Sequence, residues 1–170
     1  MILIIMSKTH GRFEILYDKE DDHIIQGHTW HIQKIKNRFY AGTNIKSEDG
    51  KYKKRYLHQM IMNPPKGMDT DHINRNTCDN RRQNLRVCTR SENMQNRGKQ
   101  KTNTSGFVGV VASGKNWKAQ MRHEGKHIYF GTYRTRAEAA RARDRGVVKL
   151  RKVVYSQMLN YPEEHGFAEL

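Results

Sequence analysis

The chain has 170 residues, a formal net charge of +15 at neutral pH and 35% hydrophobic residues. This length allows one medium-sized domain or two small ones, and the mean hydropathy of −0.96 restricts the chain to compact cores. Basic residues outnumber acidic ones by 11 to 7 over positions 1–62, by 9 to 4 over 63–102 and by 12 to 6 over 103–170. This spread excludes a neutral enzyme with a basic tail and is typical of a protein that lies along a polyanion. The simpler alternative is that the lysines only keep the protein soluble.

The two cysteines and the first six residues indicate in which cellular compartment the protein is expected. The two cysteines, Cys78 and Cys88, cannot build a disulfide framework and form no C-x-x-C pair, which argues against a structural zinc site. Reduced thiols indicate a cytoplasmic protein. The apolar run MILIIM at 1–6 is shorter than a signal-peptide core and lacks a basic start, so we predict a buried β-strand there and no membrane span.

Residues 1–56 have the pattern of short β-strands that form a scaffold. The strand RFEILY at 12–17 is followed by an acidic turn at 18–22, and Asp49-Gly50 predicts a hairpin between strands around 44–45 and 52–56. The next segment, YLHQMIM at 56–62, predicts a short helix that ends at Asn63-Pro64-Pro65. Its lone histidine, His58, is structural unless a motif recruits it.

Acidic, imidazole and amide side chains are concentrated between positions 70 and 96, among arginines. Phosphodiester hydrolysis needs a base for water, a divalent cation for the leaving oxygen and cationic or amide groups around the phosphate. His72 suits the base near neutral pH, and the adjacent Asp71 offers a hard oxygen ligand for Mg²⁺. Adjacent residues on a strand point to opposite faces, so both can serve one site only if the backbone bends. The Asn-rich loop that follows makes such a bend plausible.

The end of this stretch predicts a short helix. Thr89-x-x-Glu92 has the form of a capping box, which places Asn93 in the first turn, where its amide oxygen can complete a metal site with Asp71. Asn84 suits backbone hydrogen bonds that tie the loop together, and Arg86 and Arg90 are candidates to contact the phosphate.

The pattern D-H-x(11)-N-x(8)-N resembles the HNH endonuclease family, in the branch of phage-encoded homing endonucleases with Asn at the last position. The preceding LHQMIM with Pro-Pro is similar to the L-H-R-L element that often leads into this motif. The resemblance implies a ββα-metal fold in which Asp71 and Asn93 bind one Mg²⁺ or Mn²⁺. It also implies that His72 is the general base and Asn84 the structural asparagine.

A basic segment and a second pattern follow. RGKQKTNTS at 97–105 predicts a linker whose Arg97, Lys99 and Lys101 suit a path along phosphates. Strands are predicted at 107–111, 116–122 and 127–133, and Thr135-x-x-Glu138 predicts the cap of a helix that ends near 149. The helix would cover one face of a three-stranded sheet. The exposed face would carry Lys118, Gln120, Arg122, His127 and Tyr129.

Residues 103–162 resemble the ethylene-response-factor (AP-two) type of DNA-binding domain. The matching pieces are SGFVGV at 105–110, NWKAQMR at 116–122, YFGTY at 129–133, AEAARARD at 137–144 and LNYP at 159–162. The resemblance implies that the sheet lies in the major groove and that its exposed positions face DNA. Where plant members carry arginines on the first strand, this chain has Val108, Val111 and Ser113. We therefore expect moderate specificity with partly indirect readout.

The sequence thus predicts an α+β protein in which a β-rich region leads into a ββα-metal motif and then into a small antiparallel sheet packed on one helix. The predicted ranges are 1–96 for the nuclease domain (scaffold 1–56, motif 57–96), 97–105 for the linker, 106–162 for the AP-two-like domain and 163–170 for a tail. The predicted function is site-directed cleavage of double-stranded DNA, as a nick or a double-strand break, by a homing-type enzyme. We expect a monomer in the cytoplasm (that of the host cell if phage-encoded), with no membrane and no obligate protein partner.

Two other functions remain open at this stage. A non-catalytic DNA-binding regulator could retain a decayed HNH fold, although the intact Asp71, His72, Asn84 and Asn93 argue against decay. A basic RNA-binding protein is the second alternative, and the lack of an aromatic-rich stacking sheet argues against it.

Overall fold

The structure is a computed structural model that describes residues 1–96, 98–99, 102–151 and 153–167. Within these residues the chain forms four small antiparallel sheets and a few short helices. The mixture of helices and small antiparallel sheets predicted from the sequence is confirmed. The chain divides into two compact units, Met1–Asn93 and Met94–Leu170. No helix in the described part of the chain is long and apolar enough to cross a membrane.

The first unit contains three sheets. Its strands are β1 (Ile2–Ser7), β2 (Gly11–Leu16), β3 (His31–Ile35), β4 (Arg38–Lys46), β5 (Tyr52–Tyr56), β6 (Asp69–His72) and β7 (Leu85–Cys88). Its helices are α1 (Asp22–Gln26), α2 (Leu57–Met62) and the start of α3 (Arg90–Gln95), with 3₁₀ turns at Lys19–Asp21 and Arg82–Asn84. β1 pairs with β2, β3–β4–β5 form a meander, and β6 pairs with β7.

One hydrophobic core joins these sheets to α2. Its buried members are Ile5, Ile15, Tyr17, Ile25, Ala41, Leu57, Ile61 and Leu85. Leu57 and Ile61 are four residues apart and therefore lie on the same side of α2, which faces the core. The helix ends as predicted, because Asn63 adopts a left-handed conformation (φ 39°) immediately before Pro64. The predicted hairpin between β4 and β5 is also confirmed, with Gly50 at φ 78° in its turn.

The prediction of a buried first strand is corrected. β1 forms, but it is buried on one side only: Ile5 is 5% exposed, whereas Ile4 is 50% and Met6 71% exposed. Within the described residues β1 pairs with β2 alone, and the cross-strand partners of Ile4 and Met6 are the charged Glu14 and Arg12. The apolar run therefore correctly predicted a strand, but it did not predict that one side of this strand is exposed.

The predicted acidic turn at 18–22 is also corrected, since these residues begin a 3₁₀ turn and α1. The carboxylate of Asp21 is fully buried and accepts hydrogen bonds from Nη2 and Nε of Arg82 at 2.6 and 3.2 Å. The main-chain N–H of Arg82 donates to Asp18 at 2.7 Å. Acidic residues that looked like a solvated turn thus bind an arginine that is about sixty positions away.

The second unit contains β8 (Val110–Ser113), β9 (Asn116–His123), β10 (Lys126–Tyr133) and α4 (Arg136–Leu150), with the sheet order β8–β9–β10. The predicted capping box of Thr135 and Glu138 is confirmed. Buried alanines of α4 pack on the sheet in one core with Val110 and Ala119. The strand predicted at 107–111 begins only at Val110, because Gly109 has a positive φ of 74° and a Cβ there would lie 2.4 Å from the Gln120 oxygen.

Asp144 on α4 ties the C-terminal segment to this unit. Its fully buried carboxylate accepts hydrogen bonds from Asn160 N (2.6 Å), Tyr161 N (2.9 Å), Asn160 Nδ2 (3.0 Å) and Arg143 Nη1 (3.0 Å). Burial lowers the pKa of Arg143, and the hydrogen bond and charge of Asp144 oppose that shift. The carboxylate therefore supports both a buried cation and two main-chain N–H groups.

Asp144→Asn should destabilise the second unit by about 3–5 kcal/mol, because it leaves the buried Arg143 without its counter-charge. The free energy of unfolding is measured with urea, following Trp117 fluorescence in a Trp30→Phe background. Glu163→Gln removes an exposed carboxylate of the same unit and should leave the free energy unchanged. Equal stability of the Asp144 and Glu163 variants would contradict the role given to Asp144.

Candidate active site

The residues of the central motif lie on the β6–β7 hairpin. Asp71 is directly opposite Arg86 and His72 is opposite Leu85. Strand alternation directs Asp69 and Asp71 to one side of the hairpin and His72 to the other. β6 ends at His72, so the two candidate side chains lie at the end of the strand where the loop begins.

Asparagine side chains hold the loop between the two strands. Oδ1 of Asn84 accepts a hydrogen bond from Asn74 N (2.9 Å), and its Nδ2 donates to the carbonyl of Asp79 (2.7 Å). Oδ1 of Asn74 accepts from Asn76 N (2.8 Å), and Oδ1 of Asn76 accepts from Cys78 N (3.1 Å). Because these amides bind main-chain groups that no strand satisfies, side chains of the loop itself maintain its shape.

His72 is buried, at 4% exposure, and Oδ1 of Asn80 lies 3.2 Å from its Nε2. Burial lowers the pKa of His72, and the hydrogen bond between its ring and Oδ1 of Asn80 partly opposes that shift. The ring is therefore neutral near pH 7, which is the form that accepts a proton. With Oδ1 of Asn80 as the acceptor, Nε2 carries the hydrogen and Nδ1 carries the lone pair.

His58 packs beside His72 with their ring centroids 4.9 Å apart. Tyr40 contacts both histidines, at 5.6 Å from His58 and 6.3 Å from His72, and Tyr56 stacks on His58 at 5.8 Å. Burial, with a smaller effect of His72, lowers the pKa of His58 to about 3. The histidine that sequence reasoning left as structural is thus a neutral neighbour of the candidate base, and no sequence signal pointed to Tyr40 or Asn80.

A glycine in β4 leaves space for the side chain of Gln33. A Cβ at Gly42 would lie 2.9 Å from Cγ of Gln33, which is too close, and 3.5 Å from Cδ1 of Tyr56, which is an ordinary contact. Gly42 lies opposite Tyr56 in the β4–β5 pairing and opposite His31 in the β3–β4 pairing. The absence of a side chain at position 42 therefore allows Gln33 to pack over β4.

The two side chains predicted as metal ligands each have a protein partner. Nε and Nη2 of Arg86 donate to Oδ2 of Asp71 at 3.0 and 2.8 Å, and Nδ2 of Asn93 donates to Oδ2 of Asp69 at 3.0 Å. Arg86, a candidate for the phosphate, thus pairs with the carboxylate across the hairpin. Sequence reasoning missed Asp69, although its position two residues before Asp71 places it on the same face of the strand.

The predicted capping box before α3 is confirmed. Thr89 N donates to Oε2 of Glu92 at 2.8 Å, and Glu92 N donates to Oγ1 of Thr89 at 3.2 Å. This cap fixes the start of the helix and therefore the position of Asn93 near Asp69. Within the described residues, no group of three or more His, Cys, Asp or Glu side chains could hold a metal ion.

The residues predicted to contact DNA lie in both units. Arg90 is exposed at the start of α3 and Lys99 is exposed, whereas Arg97 and Lys101 lie outside the described residues. On the β9–β10 pair, Arg122 lies opposite His127 and Gln120 lies opposite Tyr129, so these side chains share one face of the sheet, as does that of Lys118. Arg122, His127 and Tyr129 are exposed, and Lys118 and Gln120 are half-buried.

The low pKa of His58 predicts a loss of stability in acid. Below pH 6.5 the unfolded state binds a proton that the folded state does not, so the free energy of unfolding should fall as the pH is lowered towards 3. The contribution of His58 has a slope of at most about 1.4 kcal/mol per pH unit. Denaturant unfolding across this range should show a weaker pH dependence for His58→Leu and an unchanged one for His23→Gln, which removes an exposed histidine. Equal pH dependence in all three proteins would contradict the burial effect.

The comparisons with known proteins point to the same part of the chain. Residues 62–95 match the family model described as HNH endonuclease. This segment contains the β6–β7 hairpin and α3. Neither the curated proteins nor the solved structures gave a match to this chain. The family match supports an HNH nuclease, which acts on DNA and belongs to a class that commonly uses divalent metals.

Proposed function

We propose that the protein is a site-directed DNA endonuclease of the homing type, which hydrolyses phosphodiester bonds with one divalent metal ion. The observation that carries the proposal is a buried, neutral His72 at the end of β6, where the chain turns and the charge of Asp71 still acts on the imidazole, on the hairpin that the HNH endonuclease match covers. In this proposal β6, β7 and α3 form the ββα-metal arrangement.

His72 is the proposed general base. Its Nδ1 would take a proton from a water molecule that attacks the phosphorus in line with the leaving oxygen. Asn80, which lies 3.2 Å from Nε2, fixes the orientation of the ring. The rings of Tyr40 and His58, with centroids 6.3 and 4.9 Å from that of His72, also limit the movement of the imidazole. These contacts hold the base before substrate binds, so little reorganisation is needed for proton transfer.

Asp71 and Asn93 would hold the metal ion, either Mg²⁺ or Mn²⁺. A carboxylate and an amide oxygen are hard donors that suit these ions, which commonly keep water and phosphate oxygens as their other ligands. A site with only two protein ligands therefore fits them, although it would not fit structural zinc. When bound, the ion would stabilise the negative charge on the leaving 3′ oxygen.

Arg86 and Arg90 are proposed to steady the phosphate. Arg86 lies against Asp71 in this structure, 15% of its side chain is exposed, and its partner Asp71 is more deeply buried. A guanidinium at this position can contact a phosphate oxygen with donors in a fixed planar geometry. Arg90 is exposed at the first position of α3, three residues before Asn93.

A second DNA contact is proposed for the other unit. Residues 97–105 would serve as a basic linker and residues 106–162 as an AP-two-like domain that holds the enzyme on its target. The support is the three-stranded sheet whose exposed face carries Arg122, His127 and Tyr129 while the opposite face packs on α4. Two unlike DNA contacts on one chain suit an asymmetric target, a monomer and cleavage of a single strand.

One observation favours a non-catalytic DNA-binding regulator as the second candidate. The carboxylate of Asp71 is already paired with Arg86, an arrangement that would also stabilise a hairpin without metal. Such a regulator would bind duplex DNA but would not cut it with any divalent ion. Relaxed plasmid after incubation with Mg²⁺ or Mn²⁺ would exclude it.

His72→Ala and Asn93→Ala should each lower the rate of plasmid nicking at least a hundredfold while leaving duplex binding in EDTA unchanged, because they remove the base and a metal ligand. His23→Ala, an exposed histidine of the same unit, is the matched control and should cut normally. EDTA should stop cleavage by the unsubstituted protein. Normal cleavage by either site variant would show that the roles are wrongly assigned.

Arg122→Ala should weaken binding to the cleavage target tenfold to a hundredfold, or about 1–3 kcal/mol, if this side chain reads a base edge. The cleavage rate at saturating protein should not change. Lys149→Ala removes an exposed cation from α4 of the same unit and serves as the control in the same electrophoretic titration. A similar effect of the two substitutions would argue for general electrostatics instead of contact by the sheet.

A further inference from the structure

The sheet β3–β4–β5 of the first unit packs the middle of one face against the core, and the cations of its strands are exposed on both faces. Ala41 and Thr43, each 2% exposed, are on the face that packs against the core, and Ala41 belongs to the core. Side chains alternate along β4, and its pairing with β5 shows which residues lie on the face away from Ala41 and Thr43. These residues, the β3–β5 face, include Arg38, Tyr40, Asn44, Lys46, Tyr52, Lys54 and Tyr56.

The charge of these three strands is of one sign. They carry six of the eleven Lys and Arg residues of positions 1–62 and none of the seven acidic residues. Among the carboxylates that the structure describes, none forms an ion pair with Arg38, Lys46 or Lys54. By contrast, Arg82 and Arg86 of the same unit each have a carboxylate partner. Three of the six cations, Arg38, Lys46 and Lys54, are on the β3–β5 face, and within the described residues this face has positive charge that no carboxylate compensates.

The β3–β5 face continues into the candidate active site. The ring of Tyr40 lies 6.3 Å from His72 and 5.6 Å from His58. Next to it, the carbonyl of Phe39 accepts a hydrogen bond from Thr77 in the loop of the site, at 2.6 Å. The charge of Arg38 is close enough to contribute to the lowered pKa of His72. A polymer that reaches His72 would thus meet this end of the sheet.

We propose that the β3–β5 face lies against the phosphate backbone of the duplex that the site cuts, immediately beside the scissile phosphate. This inference rests on the proposed endonuclease function and gives the N-terminal sheet a binding role beyond that of a scaffold. From Arg38 to Lys46 the strand β4 extends about 26 Å at roughly 3.3 Å per residue. Duplex DNA rises about 3.4 Å per base pair, so the face can follow roughly seven or eight base pairs.

Duplex DNA is the occupant that the shape of the surface favours. A sheet or β-ribbon fits the major groove, and cations along its length can reach phosphates at the edges of the groove. Tyr52 is 72% exposed near the end of the face, and the exposed Asn44 lies between the cations on β4. Single-stranded RNA would instead favour several exposed aromatic rings on which bases stack in sequence. Of the three tyrosines on this face only Tyr52 is exposed, whereas Tyr40 and Tyr56 are half-buried and pack against His58.

The strands offer a matched pair of variants for the test. The face variant is Arg38→Gln/Lys46→Gln/Lys54→Gln. The control variant is Lys34→Gln/Lys53→Gln/Arg55→Gln, which removes the same residue types from the opposite side of the same strands. Both lose three positive charges, so a difference between them reports position and not net charge.

Binding of the full chain to a mixed-sequence duplex of about 40 base pairs is measured in EDTA at several salt concentrations. If the three cations contact phosphates, the slope of log K against log salt should decrease in magnitude by about 2.7 for the face variant, because each contact contributes about 0.9. The control should keep the slope of the unsubstituted protein. The single variant Lys46→Gln, expected to change the slope by about 0.9, provides the same test if the triple variant does not fold.

Equal slopes for the face and control variants would overturn the inference, as would a face effect seen with single-stranded RNA but not with duplex. The same proteins are assayed for plasmid nicking with Mg²⁺. A slope difference without any nicking by the unsubstituted protein would support the docking face while refuting the endonuclease proposal. Nicking by the unsubstituted protein together with equal slopes for the face and control variants would support the endonuclease proposal and refute the docking face.

Discussion

The ion pair between Arg82 and the fully buried Asp21 is the constraint on which the candidate site depends. It joins the 3₁₀ turn before α1 to the segment that precedes β7, and the main-chain hydrogen bonds of Leu16 with Cys78 and Asn80 hold the same loop to β2. Asn80 in turn orients His72. Removing the partner of a buried carboxylate is costly, so this pair stabilises the loop against the N-terminal part of the chain, although Arg82 itself is partly exposed. The first sixty residues therefore determine where the imidazole lies.

Local patterns in the sequence predicted the local structure of the site well. The cap at Thr89 and Glu92 and the end of α2 at Asn63 depend on neighbouring residues, and both are confirmed. Contacts between distant residues could not be predicted in this way. Asp21 looked like part of a solvated acidic turn, because nothing in a sequence pattern shows that an arginine about sixty positions away will cover it. The exposure of Ile4 was missed for a similar reason: hydropathy does not show whether a second layer exists.

Contacts within the site were also hard to predict where they join residues that are distant in the sequence. Strand alternation could have identified Asp69 as a neighbour of Asp71, but its contact with Asn93 depends on how α3 returns to the hairpin. The pairing of Asp71 with Arg86 depends on the register of two strands that the loop brings together. In the second unit, Asp144 occurs in a helix rich in Ala and Arg, where its charge resembles that of a surface residue. Its fully buried position becomes evident only when the C-terminal segment folds back on α4.

Gly42 shows how a residue without a side chain can fix the packing of a neighbouring strand. A Cβ there would lie 2.9 Å from Cγ of Gln33, so the side chain of Gln33 would have to move, whereas the 3.5 Å to Cδ1 of Tyr56 is an ordinary contact. Oε1 of Gln33 accepts a hydrogen bond from Nζ of Lys54 at 2.7 Å. A substitution of this glycine would therefore disturb the cationic side of the sheet before it reached the rings around the imidazole.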